Sequence, residues 1–237
     1  MVINMPTNKI LDKDMLQIKD MLEKMINETK IQYAETFEIL NFGDESKAMM
    51  IVEHDKIINN MLNEFTSTAL WKIAKQQLVA KDLRMAVGGI LLAREIEIIA
   101  NYAKKLCIFF NKYKPSKAHA TSIMTMFQLV VDMLDAFSDF FINYNSDQVI
   151  KVMEIEKKIN EEFSEAYKHL ITVLKKAKTK EETNEISAAI LQLKNLERAG
   201  DHLLTVQEIV SFMRIGKFEE TNDLFESMLL FTNSSIS

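Results

Sequence analysis

Apolar residues recur with helical period along almost the whole chain, in long stretches broken by a few short polar or turn-forming segments. The breaks predict six long helices. The first runs from about Leu11 to Leu40 and stops at Asn41-Phe42-Gly43-Asp44. Asp44 is a good N-cap for the second, from about Glu45 to Gln76. The third spans about Leu78 to Lys112, with Pro115 marking its end. Ser116 is placed to cap the fourth, which reaches about Asn143, and Asn143–Asp147 is a polar break. The fifth runs from about Gln148 to Lys178. Thr179 with Glu182 is a capping-box pattern for the sixth, from about Lys180 to Arg214, which Gly216 ends. A weak amphipathic helix is expected over Phe218–Phe231, and a frayed tail over Asn233–Ser237.

Helices of roughly 30 residues are about 45 Å long at 1.5 Å per residue. With short connections they pack as antiparallel neighbours. The third and sixth helices echo one another at an offset of 100 residues. Ile90-Leu91 matches Ile190-Leu191, Ile96 matches Leu196, Glu97 matches Glu197, and Ala100 matches Gly200. The second and fifth helices echo at an offset of 101, where His54-Asp55-Lys56-Ile57-Ile58-Asn59 resembles Ile155-Glu156-Lys157-Lys158-Ile159-Asn160. Two matches at almost one offset predict an all-α fold of two tandem three-helix bundles. The expected units are 9–114 and 115–216, followed by a tail over 217–237.

Composition supports this reading. Five glycines and two prolines in 237 residues are too few for a strand-and-turn fold. Hydrophobic residues make up 48% of the chain, enough for a substantial core. The 15 methionines and 14 phenylalanines, dense over Met124–Phe141, fit core filling better than a ligand groove. The formal charge of −5 argues against nucleic-acid binding. Cys107 is the only cysteine, which excludes an internal disulfide and a thiolate cluster and fits a cytoplasmic protein. The opening MVINMPTNKILDKD has no apolar core of signal-peptide length. The most apolar region, Leu129–Phe141, is interrupted by Asp132, Asp135 and Asp139, so no direct membrane insertion is expected.

Glu197 and Asp201 are the leading candidates for chemistry. Residues four apart share a helical face, and two carboxylates so placed repel unless a cation lies between them. Hard oxygen donors suit Mg, Mn, Ca or oxidised iron, with a second helix or water completing the site. The alternative is a solvated acidic face, as expected for Asp135/Asp139 and Glu181/Glu185 at the same spacing. Gly200 between the two acids costs about 1 kcal/mol against Ala in a helix, which close approach of a helix or ligand would explain. Glu97 with Asn101 is the weaker twin, since Asn offers only a neutral oxygen. Asp82 is either a further ligand or a charge placed at the positive end of the third helix. His202, beside Asp201, either supports the site or serves the surface. The basic run Lys175–Lys180 either meets an acidic partner or complements the end of the fifth helix. No Glu-x-x-His, Gly-rich phosphate loop or nucleophile elbow is present, so no enzyme activity is expected.

At these residues the chain resembles the PhoU family of phosphate-transport regulators, over roughly Met15–Phe218. Leu196-Glu197-Arg198-Ala199-Gly200-Asp201-His202 looks like the second copy of that family's Glu/Asp-x-x-x-Asp motif. Glu208–Met213 with Gly216 is similar to its closing stretch. Gln77–Arg84 resembles its Gln-Pro-x-Ala-x-Asp-Leu-Arg signature, with Leu78 in place of the proline. In the first motif Asn101 stands where the family has Asp, and Ile98-Ile99-Ala100 replaces Arg-Ile-Gly. The resemblance implies a cytoplasmic, non-enzymatic regulator that restrains the Pst phosphate transporter by contacting its ATPase subunit, and that often signals to a sensor histidine kinase. It implies metal ions (Fe, Mn, Mg or Zn) on the acidic motifs, with Glu197 and Asp201 as ligands and Glu97, Asn101 and Asp82 as further ones. A homodimer is the expected assembly.

Overall fold

The computed structural model describes residues 9–218, apart from 43–46, 77, 144 and 146. Six helices follow in order: α1 (Lys9–Phe42), α2 (Ala48–Lys75), α3 (Ala80–Tyr113), α4 (Lys117–Asn143), α5 (Asp147–Leu174) and α6 (Lys180–Ile215). No strand occurs among the described residues. The expected all-α, two-repeat architecture is therefore what forms. The expected Asp44 cap and the helix after Phe218 lie outside the described residues.

The helix ends follow local chemistry. Ser116 caps α4, its hydroxyl accepting from the His119 N–H at 3.4 Å. Thr179 and Glu182 form the reciprocal capping box at the start of α6. Gly216 closes α6 in the left-handed conformation at φ 87°, its N–H bonded to the Phe212 carbonyl. Two boundaries differ from expectation: α2 begins at Ala48, not Glu45, and α5 ends at Leu174, not Lys178. Its last carbonyls are taken up in i→i+3 bonds, Lys176 to Val173 and Ala177 to Leu174. The chain must leave the helical path there so that Thr179 can take the extended conformation of a cap. The lysine run Lys175–Lys180 thus lies mostly in the connection, not inside the last turn of α5.

The helix pairings reveal the duplication. α3 packs on α1 and α2 as α6 packs on α4 and α5, and the two units meet through α3 with α6 and α1 with α4. The α3/α6 pair is antiparallel: Arg84 lies beside Gly216, Gly88 beside Met213, and Glu95 beside His202. Close packing here needs glycine. A Cβ on Gly88 would stand 2.3 Å from Met213 Cγ, and one on Gly89 would stand 2.7 Å from Phe65 Cζ.

Tyr33 ties the two units together. It is fully buried on α1, donates to the Ile99 carbonyl of α3 at 2.8 Å, and stacks on Phe127 of α4 with ring centroids 5.1 Å apart. α4 is long and apolar enough to cross a membrane by length and composition alone, with a mean hydropathy of 1.3 over its most apolar window. Its Phe127, Val130, Met133, Leu134, Phe137 and Phe140 are instead buried against the other helices. That is where the methionine and phenylalanine stripe goes.

Candidate metal centre

The acidic motifs sit at the middle of α3 and α6. Glu97 is buried, and Arg94, one turn earlier, donates to its Oε2 at 2.5 Å. Asn101 is half-buried one turn later. On α6 the arrangement repeats. Lys194 donates to both oxygens of Glu197 at 2.6 and 2.5 Å. Arg94 and Lys194 occupy the same repeat position, and their side chains are 60% and 40% exposed. Both acids are therefore paired locally by solvent-exposed side chains, not by a cation locked in the interior.

Asp201 is different. Burial holds its carboxyl above the usual carboxylate range, and the Glu197 charge one turn away adds to the effect, against the pull of Lys194, His202 and Arg198. No hydrogen bond or ion pair reaches its carboxylate among the described residues. Three of the four other acids of the same spacing find partners, and Glu181 has none among the described residues. Asp135 pairs with Lys30 at 2.9 Å, Asp139 accepts from Asn143 at 2.6 Å, and Glu185 meets His119 at 2.9 Å. Spacing alone did not distinguish these pairs; Lys30 of α1 and His119 of α4 supply two of the partners from other helices, and Asn143 of α4 itself supplies the third.

His202 points away from the Asp201 carboxylate and across to α3. Its Nδ1 meets Glu95 at 2.5 Å and its Nε2 lies 3.4 Å from the Tyr102 hydroxyl. The Arg198 charge lies close enough to act on that hydroxyl. Burial raises the Tyr102 phenol above its ordinary value, Arg198 opposes, and Glu95 and Asp201 add to the rise. A polar cluster of Glu95, Tyr102, Arg198 and His202 thus bridges the two helices beside the acidic pair. The repeat alignment held the one clue to it, because Tyr102 and His202 are equivalent positions.

Asp82 is not brought into this group. It lies in the first turn of α3, fifteen residues before Glu97, which is about 22 Å along the axis. That position suits the positive helix end. Asp55 of α2 is nearer in kind. It is buried, and its Oδ2 accepts from Lys104 of α3 at 2.6 Å and from Asn59 at 3.0 Å. Among the described residues no three His, Cys, Asp or Glu side chains form a group able to hold a metal ion.

The fit to a cation differs between the copies. Glu197 and Asp201 present two carboxylates on an open face, one of them without a partner, which suits a hard cation that keeps several waters. Glu97 and Asn101 present one paired carboxylate and one neutral amide.

A duplicated three-helix unit, carrying an acidic i,i+4 motif at the centre of the third helix of each copy, defines a class of two-repeat helical-bundle proteins. The PhoU domain model matches residues 22–108 and 123–210, and the chain belongs to that family. It is 25% identical over 220 residues to the phosphate-specific transport system accessory protein PhoU homolog of Clostridium acetobutylicum, covering 92% of this chain and all of that one. It is 24% identical over 195 residues to the Escherichia coli phosphate-specific transport system accessory protein PhoU, covering 78% and 77% of the two chains. The fold matches the crystal structure of the phosphate transport system regulatory protein PhoU from Streptococcus pneumoniae with a TM-score of 0.75 at 15% identity, over 88% of this chain and 99% of that one. It matches PhoU from Pseudomonas aeruginosa with a TM-score of 0.68 at 21% identity, over 88% and 97% of the two chains.

Proposed function

We propose that this protein is a cytoplasmic regulator of phosphate uptake that binds a metal ion through Glu197 and Asp201 and restrains the Pst phosphate transporter by docking on its ATPase subunit. The observation that carries the reading is the duplicated motif with the Asp201 carboxylate left without a hydrogen bond or ion pair among the described residues, in a chain whose relatives bear the name of that transport system. The chain's own residues divide the work. Glu197 and Asp201 hold the cation, which supplies positive charge to an otherwise repulsive face. Lys194 is exposed and able to release Glu197 as the cation arrives. The Glu95–His202 and Tyr102–His202 contacts hold α6 against α3, so the acidic face keeps one orientation. Control of the transporter requires different affinities for two of its states. A sensor histidine kinase is a second proposed partner, and a homodimer the proposed assembly.

The test is phosphate uptake in cells carrying Glu197→Ala/Asp201→Ala in place of the wild-type chain, with metal content measured on the purified proteins. Deregulated uptake with lost metal is expected. Unchanged uptake and unchanged metal content would remove the mechanism.

One observation favours a second reading, a metal-independent adaptor of the same fold: no group of three ligand side chains exists among the described residues. Metal analysis of protein purified without chelator separates the two. A metal-dependent phosphohydrolase is a third, weaker reading, tested by a phosphatase screen with Mn or Mg.

A further inference from the structure

We infer that the first repeat is closed to metal because Lys104 supplies its cation from within the chain. Glu97, Asn101 and Lys104 recur at i, i+4 and i+7 and share one face of α3. On that face the Lys104 ammonium crosses to α2 and binds the Asp55 carboxylate at 2.6 Å, where the two side chains are 23% and 5% exposed. Asn59 donates to the same oxygen. The buried acid is thereby neutralised, and a metal ion on this face would meet a fixed ammonium instead of a second carboxylate.

The other repeat shows the difference residue by residue. Leu204 stands at the position of Lys104, and Asp201 at that of Asn101. Glu156 and Asn160 stand where Asp55 and Asn59 do, and Asn160 again donates to the acid. Arg94 and Lys194 pair with their glutamates alike, so they do not set the copies apart. Two substitutions do: an acid has become an amide, and an apolar residue has become a lysine. The first removes a negative charge from that face and the second adds a positive one. The same Asp55 has one oxygen, Oδ1, buried without a hydrogen-bond partner. It is the donor left for an incoming ion when the ammonium is taken away.

The inference deepens the metal reading given under Proposed function, and the experiment separates the two. Mn2+ bound per chain is counted by titration of the full-length protein, alongside melting with EDTA and with excess Mn2+. Glu97→Gln is expected to leave the Mn2+ count unchanged. Asn101→Asp/Lys104→Leu, which copies the second repeat into the first, is expected to gain one Mn2+ per chain. It should also melt lower than wild type in EDTA and recover more on adding Mn2+ than wild type does. A count that falls in Glu97→Gln, or a double variant that gains no Mn2+, overturns the inference. If the double variant does not fold, the Glu97→Gln count still decides. Loss of binding in Glu197→Gln/Asp201→Asn belongs to the earlier proposal, and its failure would leave the Glu97 and Lys104 arms readable.

Discussion

Tyr102 and His202 stand 100 residues apart at equivalent positions of the two repeats, and they touch: the hydroxyl lies 3.4 Å from Nε2 and the ring centroids are 5.9 Å apart. Equivalent residues meet only near the local two-fold axis that relates two copies. The contact therefore places that axis at the centre of the antiparallel α3/α6 pair, with the two acidic motifs flanking it. Tyr102→Phe removes the hydroxyl that meets His202 Nε2. A loss of about 1 kcal/mol is expected, read as a fall in Tm of about 2–4 °C for a chain of this size.

Asp201 has a raised pKa in the folded chain, from burial first and Glu197 second. The folded state then holds more protons than the unfolded state above the ordinary value of 3.8, so stability falls as pH rises through the folded value. Asp201→Asn removes this and the like-charge repulsion, worth about 0.2–0.5 kcal/mol for an i,i+4 pair. Metal-free Asp201→Asn should melt slightly above wild type near neutral pH, with the gap closing as pH falls toward 3.8. A gap that widens on acidification would contradict the assignment.

Gly200 does not mark a close approach. A Cβ there would meet Ile159 Cδ1 at 3.4 Å and Met133 Sδ at 3.9 Å, ordinary contact distances, so the expectation that a helix or ligand crowds it is not met. Gly200→Ala should stabilise the chain by about 0.5–1 kcal/mol through helix propensity. Gly88→Ala should destabilise it, because its Cβ would stand 2.3 Å from Met213 Cγ. Denaturant midpoints of the two variants check the opposite signs.

Lys72 is buried and donates to Asp14 and, at 2.9 Å, to Gln17, fastening α1 to α2. The Lys72 hydrogen bond holds the Asp14 carboxyl below 3.8, its ordinary value, more strongly than burial raises it. A depressed folded pKa gives stability that is present above 3.8 and lost as pH falls through the folded value. Lys72→Met, which leaves the partly buried Asp14 without its ammonium, should cost about 1–3 kcal/mol and flatten that part of the acid-unfolding curve.

Cys107 is buried, and burial pushes its thiol up to about 11 despite the Thr36 hydroxyl. The thiolate fraction at neutral pH is then too small for reaction. Native protein should leave an aromatic disulfide reagent uncleaved over the time in which urea-unfolded protein reacts fully.

Family and fold were legible because their signals are local or repetitive. Apolar period gave six helices; Ser116, the Thr179/Glu182 pair and Gly216 gave their ends; and the echoes between α2 and α5 and between α3 and α6 gave the duplication. The candidate site was legible only in part. Glu197 and Asp201 were marked by spacing, but the same spacing in Asp135/Asp139 and Glu181/Glu185 looked identical. Asp55 stands in the sequence only as a member of an echo, and nothing in the helical pattern singles out Tyr102.

What the sequence determined by itself is thus the set of helices and the fact that there are two copies, since backbone propensity, caps and repeat identity are written within a few residues or in the comparison of one stretch with another. Which acid keeps a partner was decided by the packing: Asp55 meets Lys104, His202 turns to Glu95, and the Asp201 carboxylate has no hydrogen bond or ion pair among the described residues. Those pairings depend on which helices become neighbours and in what register, and an ionic partner 49 or 107 residues away leaves no mark on the period of either helix.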